Sequence, residues 1–117
     1  MKTSSCKAKG RRACQEVKEL LHKYAPDLKP DDITITPSGC TGEDVFLSPA
    51  ARQVYPLVIE CKNTEALNIW KSFEQAVSHL GRFNQDYGYH VPILFFRRNR
   101  SKLMVCMEAE EFVRMIR

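Results

Sequence analysis

The segment Val54 to Lys62, VYPLVIECK, constrains the fold more than any other part of the chain. It is apolar on both faces until its last three residues, the pattern of a central strand rather than one with a wet face. Such a strand needs neighbours in a sheet and helices over both sides of it, and the rest of the sequence supplies them. Ala13, Val17, Leu20, Leu21 and Tyr24 recur at helical spacing up to Pro26 and predict an amphipathic first helix. Asp31 to Thr36, bounded by Pro30 and Pro37, and Asp44 to Ser48 predict two short strands, with PSGCTGE as a glycine-bearing loop between them. SPAARQ then turns the chain into Val54 to Lys62. Ala66, Ile69, Trp70, Phe73, Ala76, Val77 and Leu80 predict a second helix that packs this apolar face into the core and ends near Gly81. Val91 to Arg97 and Lys102 to Met107 predict two more strands around RRNRS, and EAEEFVRMIR a closing helix with Phe112, Val113 and Ile116 inward. The order αβββαββα predicts an α/β sandwich, a mixed central β-sheet flanked by helices.

At 117 residues the chain is long enough for one core and too short for two, so residues 1–117 form a single domain. The longest apolar stretch, Val91 to Phe96, is far below the ~20 residues of a membrane span, and MKTSSCKAKGRR has no apolar signal region. The expectation is a soluble, cytoplasmic protein with no membrane partner. Five cysteines without a CxxC pair fit neither a disulfide framework nor a zinc site, and read as reduced packing residues. The net charge of +4 is divided unevenly: residues 1–40 carry eight basic and five acidic groups, 41–80 three and five, and 81–117 seven and four. An acidic middle sits between basic ends, and residues 1–12 read as a flexible basic arm.

The acidic middle contains the chemistry. In IECK, Glu60 and Lys62 are two apart on a strand, so both project from one face while Cys61 points to the other. A hairpin through SPAARQ centred near Arg52 places Asp44 opposite Glu60, Phe46 opposite Val58 and Ser48 opposite Pro56. Cross-strand Cβ atoms lie ~5 Å apart, which lets two carboxylates share one hard divalent cation and leaves positions for water and phosphate oxygens. Lys62 can then orient the attacking water or compensate charge in the transition state. The alternative is a plain Glu60–Lys62 salt bridge with Asp44 unrelated. Against it stands the position of the pair, at the end of a buried strand and a hairpin's length after an acid.

The run GEDVFLSPAARQVYPLVIECKN, followed by NIWKSFEQA, resembles phage-encoded nucleases of the PD-(D/E)xK superfamily, the group related to archaeal-type Holliday junction resolvases. The resemblance extends from KAKGRR to the last helix. It implies a restriction-endonuclease-like core and a Mg2+-dependent endonuclease, with Mn2+ able to substitute. Asp44, Glu60 and Lys62 would form its catalytic triad, and Asp44, Glu60 and the Cys61 backbone carbonyl would hold the metal. The chain departs from the family at two places: Glu43 stands where proline precedes the aspartate, and Cys14 stands where archaeal resolvases carry a first-helix glutamate. From the helical wheel, Glu16 falls about 80° from the apolar face at ~100° per residue, and is the candidate fourth acid; otherwise it is a solvated helix residue.

Phosphate contacts are expected from Lys7, Lys9, Arg11 and Arg12 near the N-terminus and from Arg97, Arg98, Arg100 and Lys102 in the late hairpin. Lys71 and Gln75 lie on a polar stripe of the second helix that could follow a phosphate backbone, though any surface helix has such a stripe; the resemblance singles out Gln75. Ser38 and Thr41, beside Gly39 and Gly42, either approach a backbone or form a simple turn. With no groove-reading element in the sequence, the leading expectation is a structure-selective endonuclease that resolves Holliday junctions. It would act on branched or double-stranded DNA as a homodimer, because paired cuts need two sites, and in the host-cell cytoplasm if phage-encoded. The alternatives are another nuclease of this fold, such as a nickase or a restriction-type enzyme, and a non-catalytic nucleic-acid-binding module whose acids are structural.

Overall fold

The computed structural model describes residues 3–37 and 42–117, with side chains for all of these except 3–7 and 82–87. In chain order the elements are α1 (Thr3–Tyr24), a 3-10 turn (Pro30–Asp32), β1 (Ile33–Ile35), β2 (Val45–Leu47), α2 (Pro49–Val54), β3 (Leu57–Asn63), α3 (Ile69–Tyr87), β4 (Val91–Arg97), β5 (Met104–Cys106) and α4 (Ala109–Ile116). The five strands form one sheet in the order β1-β2-β3-β4-β5. Only β3 and β4 pair in parallel, from Leu57↔Val91 to Asn63↔Arg97; the other neighbours are antiparallel. The sheet is therefore mixed, with β3 at its centre as the two-faced apolar run requires.

Odd-numbered residues of β3 and β4 (Leu57, Ile59, Cys61; Val91, Ile93, Phe95) join Ile33, Val45 and Leu47 in a core under Ala13, Cys14, Val17 and Leu21 of α1. The even-numbered residues turn to α3, where Val58 and Leu94 are fully buried and Ala76 packs down from the helix. The Tyr55 hydroxyl donates to the Leu21 carbonyl at 2.7 Å and ties the end of α1 to the entry of β3.

Four expectations are corrected. SPAARQ is a short helix and not a hairpin: Ser48 caps it by accepting from the Ala51 N–H, and Pro49 occupies the first turn. The strand register survives that change, because Val45 pairs with Ile59. Burial of Val45, Leu47 and Ile59 on one face sets the register, whatever joins the strands. The segment expected as a basic arm is continuous with α1 from Thr3 onward, and the Lys9 carbonyl accepts from the Asn63 side chain at 3.1 Å. Lys, Ala and Arg are good helix formers, and one interior glycine, Gly10, does not stop them. α3 runs past Gly81 to Tyr87 and is stopped by Gly88, whose φ of 86° an L-residue rarely adopts. Finally, α4 buries nothing, and Phe112, Val113 and Ile116 are half or more exposed.

Candidate active site

Asp44 stands one residue ahead of β2. Its N–H donates to the Ile59 carbonyl at 2.9 Å, continuing the Val45↔Ile59 register and setting Asp44 opposite Glu60. A side chain then takes over the ladder: the Cys61 N–H donates to Asp44 Oδ2 at 2.8 Å. A backbone amide thus holds the aspartate carboxylate against β3, beside the glutamate. Glu60 is 5% exposed. Burial first, then the charge of Asp44 and a hydrogen bond to it, push the Glu60 carboxyl up to about 8, while Lys62 pulls it partly back. At neutral pH the Glu60 carboxyl keeps its proton, because a second negative charge beside Asp44 is unfavourable in a partly desolvated site. Lys62 follows on the same strand and is half-buried.

The wall opposite is α3, and it is turned from the orientation its apolar residues predict. Ser72 and Ala76 are buried, whereas Trp70 is 82% exposed and Val77 41%. Small side chains let the helix approach the sheet at Glu60, where a broad apolar face would leave a buried carboxyl without a polar neighbour. The rotation brings His79 inward, with Nε2 3.5 Å from Glu60 Oε1. Gln75, one turn earlier, is exposed, as is Lys71. The apolar pattern of the sequence does not single out His79. The signal for it is the small-residue pair Ser72 and Ala76 on the same helical face, which the larger apolar residues outweigh.

Beneath the site, Cys14 of α1 meets Cys61, and contact between the thiols together with burial raises the Cys61 pKa. Cys14 also lies within reach of the Asp44 charge. Glu16 goes elsewhere, bound to the Arg97 guanidinium at the end of β4, two strands away from Asp44 in the sheet order. The buried stripe of α1 centres between Ala13, Cys14, Val17 and Leu21, which leaves Glu16 about 115° from it at ~100° per residue and turns it toward β4. Glu43 is buried with its carboxylate 3.9 Å from Arg52 of α2, and that guanidinium lies 5.1 Å over the Phe46 ring. This pair braces the chain just before Asp44.

Neither protein-family models, nor curated proteins, nor solved structures match the chain. The geometry of the site must therefore carry the functional argument.

Among the described residues no group of three or more His, Cys, Asp or Glu is placed to hold a metal ion. Mg2+ asks for less: one or two carboxylates, with water and phosphate oxygens filling an octahedral shell. Asp44 and Glu60 fit that demand, being two carboxyls side by side on neighbouring strands, one of them buried.

The basic residues gather at the same end of the sheet. Arg11 and Arg12 line an open groove of ≈ 760 Å3 between α1 and the segment Ile35, Thr36 and Pro37. Arg98, Arg100 and Lys102 are exposed around the β4–β5 turn. Arg97, bound to Glu16, is the least available of this set. The side chain of Lys7, and Ser38 and Thr41 altogether, lie outside the described residues. No helix among the described residues is long and apolar enough to cross a membrane.

Proposed function

We propose that the chain is a Mg2+-dependent DNA endonuclease of restriction-endonuclease-like topology, selective for branched DNA and acting as a Holliday junction resolvase. The observation that carries this reading is the pairing of Asp44 with Glu60, a buried carboxyl pushed up to about 8 beside a second carboxylate, with Lys62 next on the same strand. A structural salt bridge would not need the second acid, and strand burial would not tolerate it without a use.

Asp44, Glu60 and the Cys61 carbonyl would hold the ion, which Mn2+ could replace. When bound, it supplies charge neutralisation and polarisation at the scissile phosphate. The chain does the rest. Asp44 is fixed by the Cys61 amide and so presents its other oxygen in one orientation. Glu60 would release its proton to solvent as the cation binds and so become a second anionic donor. Lys62 orients the attacking water and offsets charge on the phosphoryl oxygens as they become more negative. Arg11 and Arg12 on one side, and Arg98, Arg100 and Lys102 on the other, hold the DNA backbone against an otherwise acidic centre. Trp70, exposed at the start of α3, offers a face on which an unpaired base at a branch could stack.

The test is cleavage of a synthetic four-way junction and of a linear duplex of the same arms, with and without Mg2+, mapped on all four strands. Symmetry-related cuts in the junction alone support the resolvase. Equal cutting of both substrates replaces it with a general nuclease, and binding without any cleavage replaces it with a nucleic-acid-binding module.

A further inference from the structure

Among the described residues the C-terminal helix is the least covered of the helices. Of its eight residues none is buried, and Phe112, Val113, Met115 and Ile116 are 50, 54, 57 and 66% exposed. Met104 and Val105, on the edge strand that leads to it, are 54 and 49% exposed. A hydrogen bond from the Tyr89 hydroxyl to Glu111 fastens α4 to the segment before β4. Eight residues fall well short of the ~12–15 that an isolated helix needs in water, so this helix requires a covering surface.

The charges on α4 define that surface. Glu108, Glu110 and Glu111 outnumber Arg114 and Arg117, which disfavours a phosphate backbone and an anionic lipid surface alike. Glu110, which also pairs with Arg114 of its own helix at 2.8 Å in an exposed bridge, and Arg117 at the C-cap are seven residues apart and share one flank of the apolar stripe. When two such helices pack antiparallel about a two-fold axis, like flanks meet and N-terminus meets C-terminus. Glu110 of one copy then faces Arg117 of the other, and the pair occurs twice. The same arrangement buries Phe112 and Ile116 at the centre. We infer that α4, with the neighbouring edge strand β5, is the surface through which two copies of this chain associate. The inference rests on the proposed function only for the need of two sites, and α4 lies toward the Tyr89 end of β4, away from Lys62 and Arg97, so pairing there leaves both sites open.

Sedimentation of the full chain tests it. The parent should run at twice 13.5 kDa. Ile116→Glu should run as a monomer and lose no more far-UV circular dichroism than the eight residues of α4 contribute. Glu110→Arg and Arg117→Glu should each weaken association at least tenfold. An equimolar mixture of the two should recover it, because in the mixed dimer both flanking pairs again join a cation to an anion. A monomeric parent, a dimer indifferent to Ile116→Glu, or a mixture no tighter than its components overturns the proposal. Junction cleavage measured on the same samples separates the two readings: an inactive dimer overturns the nuclease and supports this surface, whereas an active monomer does the reverse.

Discussion

The two ends of this sheet break opposite rules. At the end that holds Asp44, Glu60 and Lys62, a carboxyl is buried, tied by a ladder amide and faced by His79; at the end that holds α4, large apolar side chains stand in water. Burying a carboxyl costs stability unless something binds it, and exposing a run of apolar residues costs solubility unless something covers it. The first therefore points to a small charged ligand and the second to a protein surface. Neither feature would survive in a domain whose only task was to fold.

The largest expected effect breaks the first end. Asp44→Asn or Glu60→Gln should lower junction cleavage by about 10³-fold or more, and Lys62→Ala by about 10²-fold, while gel-shift affinity for the junction stays within a factor of a few. A Glu16→Gln chain sharpens the contrast. Glu16 is bound to Arg97 and not to the carboxylate pair, so its cleavage rate should stay near the parent's.

Next in size is the electrostatic rim. Replacing Arg98, Arg100 and Lys102 together by alanine should flatten the dependence of log K on log salt by about 0.9 for each phosphate that no longer meets a cation. Arg11→Ala with Arg12→Ala should act in the same direction. Deleting residues 1–12 would not isolate these cations, since it removes the start of α1 and the Lys9 carbonyl that accepts from Asn63.

A smaller effect concerns stability. The Glu60 carboxyl has an ordinary value of 4.5 and is pushed up to about 8 in the fold. Between these values the unfolded chain has lost the proton and the folded chain keeps it, so raising pH favours unfolding, and the contribution levels off above about 8. Metal-free protein should lose thermal stability across this window. Glu60→Gln should remove most of that slope and melt higher than the parent at pH 8 by a few degrees, read by circular dichroism with chelator present. The smallest effect belongs to the other end: in Ile116→Glu, amide hydrogens of α4 should exchange far faster than those of β3 and β4, which open only with the whole domain.

Much of this was legible in the residues. The two-faced run before IECK identifies the central strand, and the register that sets Asp44 opposite Glu60 holds, even though the hairpin from which it was expected is a helix. Register follows burial, and burial is written in the apolar pattern. The orientation of α3 was not legible, because its large residues outnumber the small ones that face the sheet, and only the partner surface around Glu60 decides between the two faces. The same large residues hide His79, whereas Gln75 is singled out by the resemblance alone and stands exposed. Glu16 was misplaced by a shift in the buried stripe of α1 toward Cys14, a residue that reads as weakly hydrophobic until its packing on Cys61 is known. The closing helix has a correct pattern and lacks an intramolecular surface to match it. A single chain's sequence records that a face is apolar without recording whose surface covers it.

The central claim is that the Asp44–Glu60 pair with Lys62 is a hydrolytic site, and its most direct measurement is strand-mapped cleavage of a four-way junction by the parent and by Asp44→Asn across a Mg2+ titration. The account predicts cleavage that rises with Mg2+ in the parent, falls on opposed strands at symmetric positions, and is lost in Asp44→Asn while junction binding persists. Cleavage independent of Mg2+, or retained near the parent rate in Asp44→Asn, would contradict it.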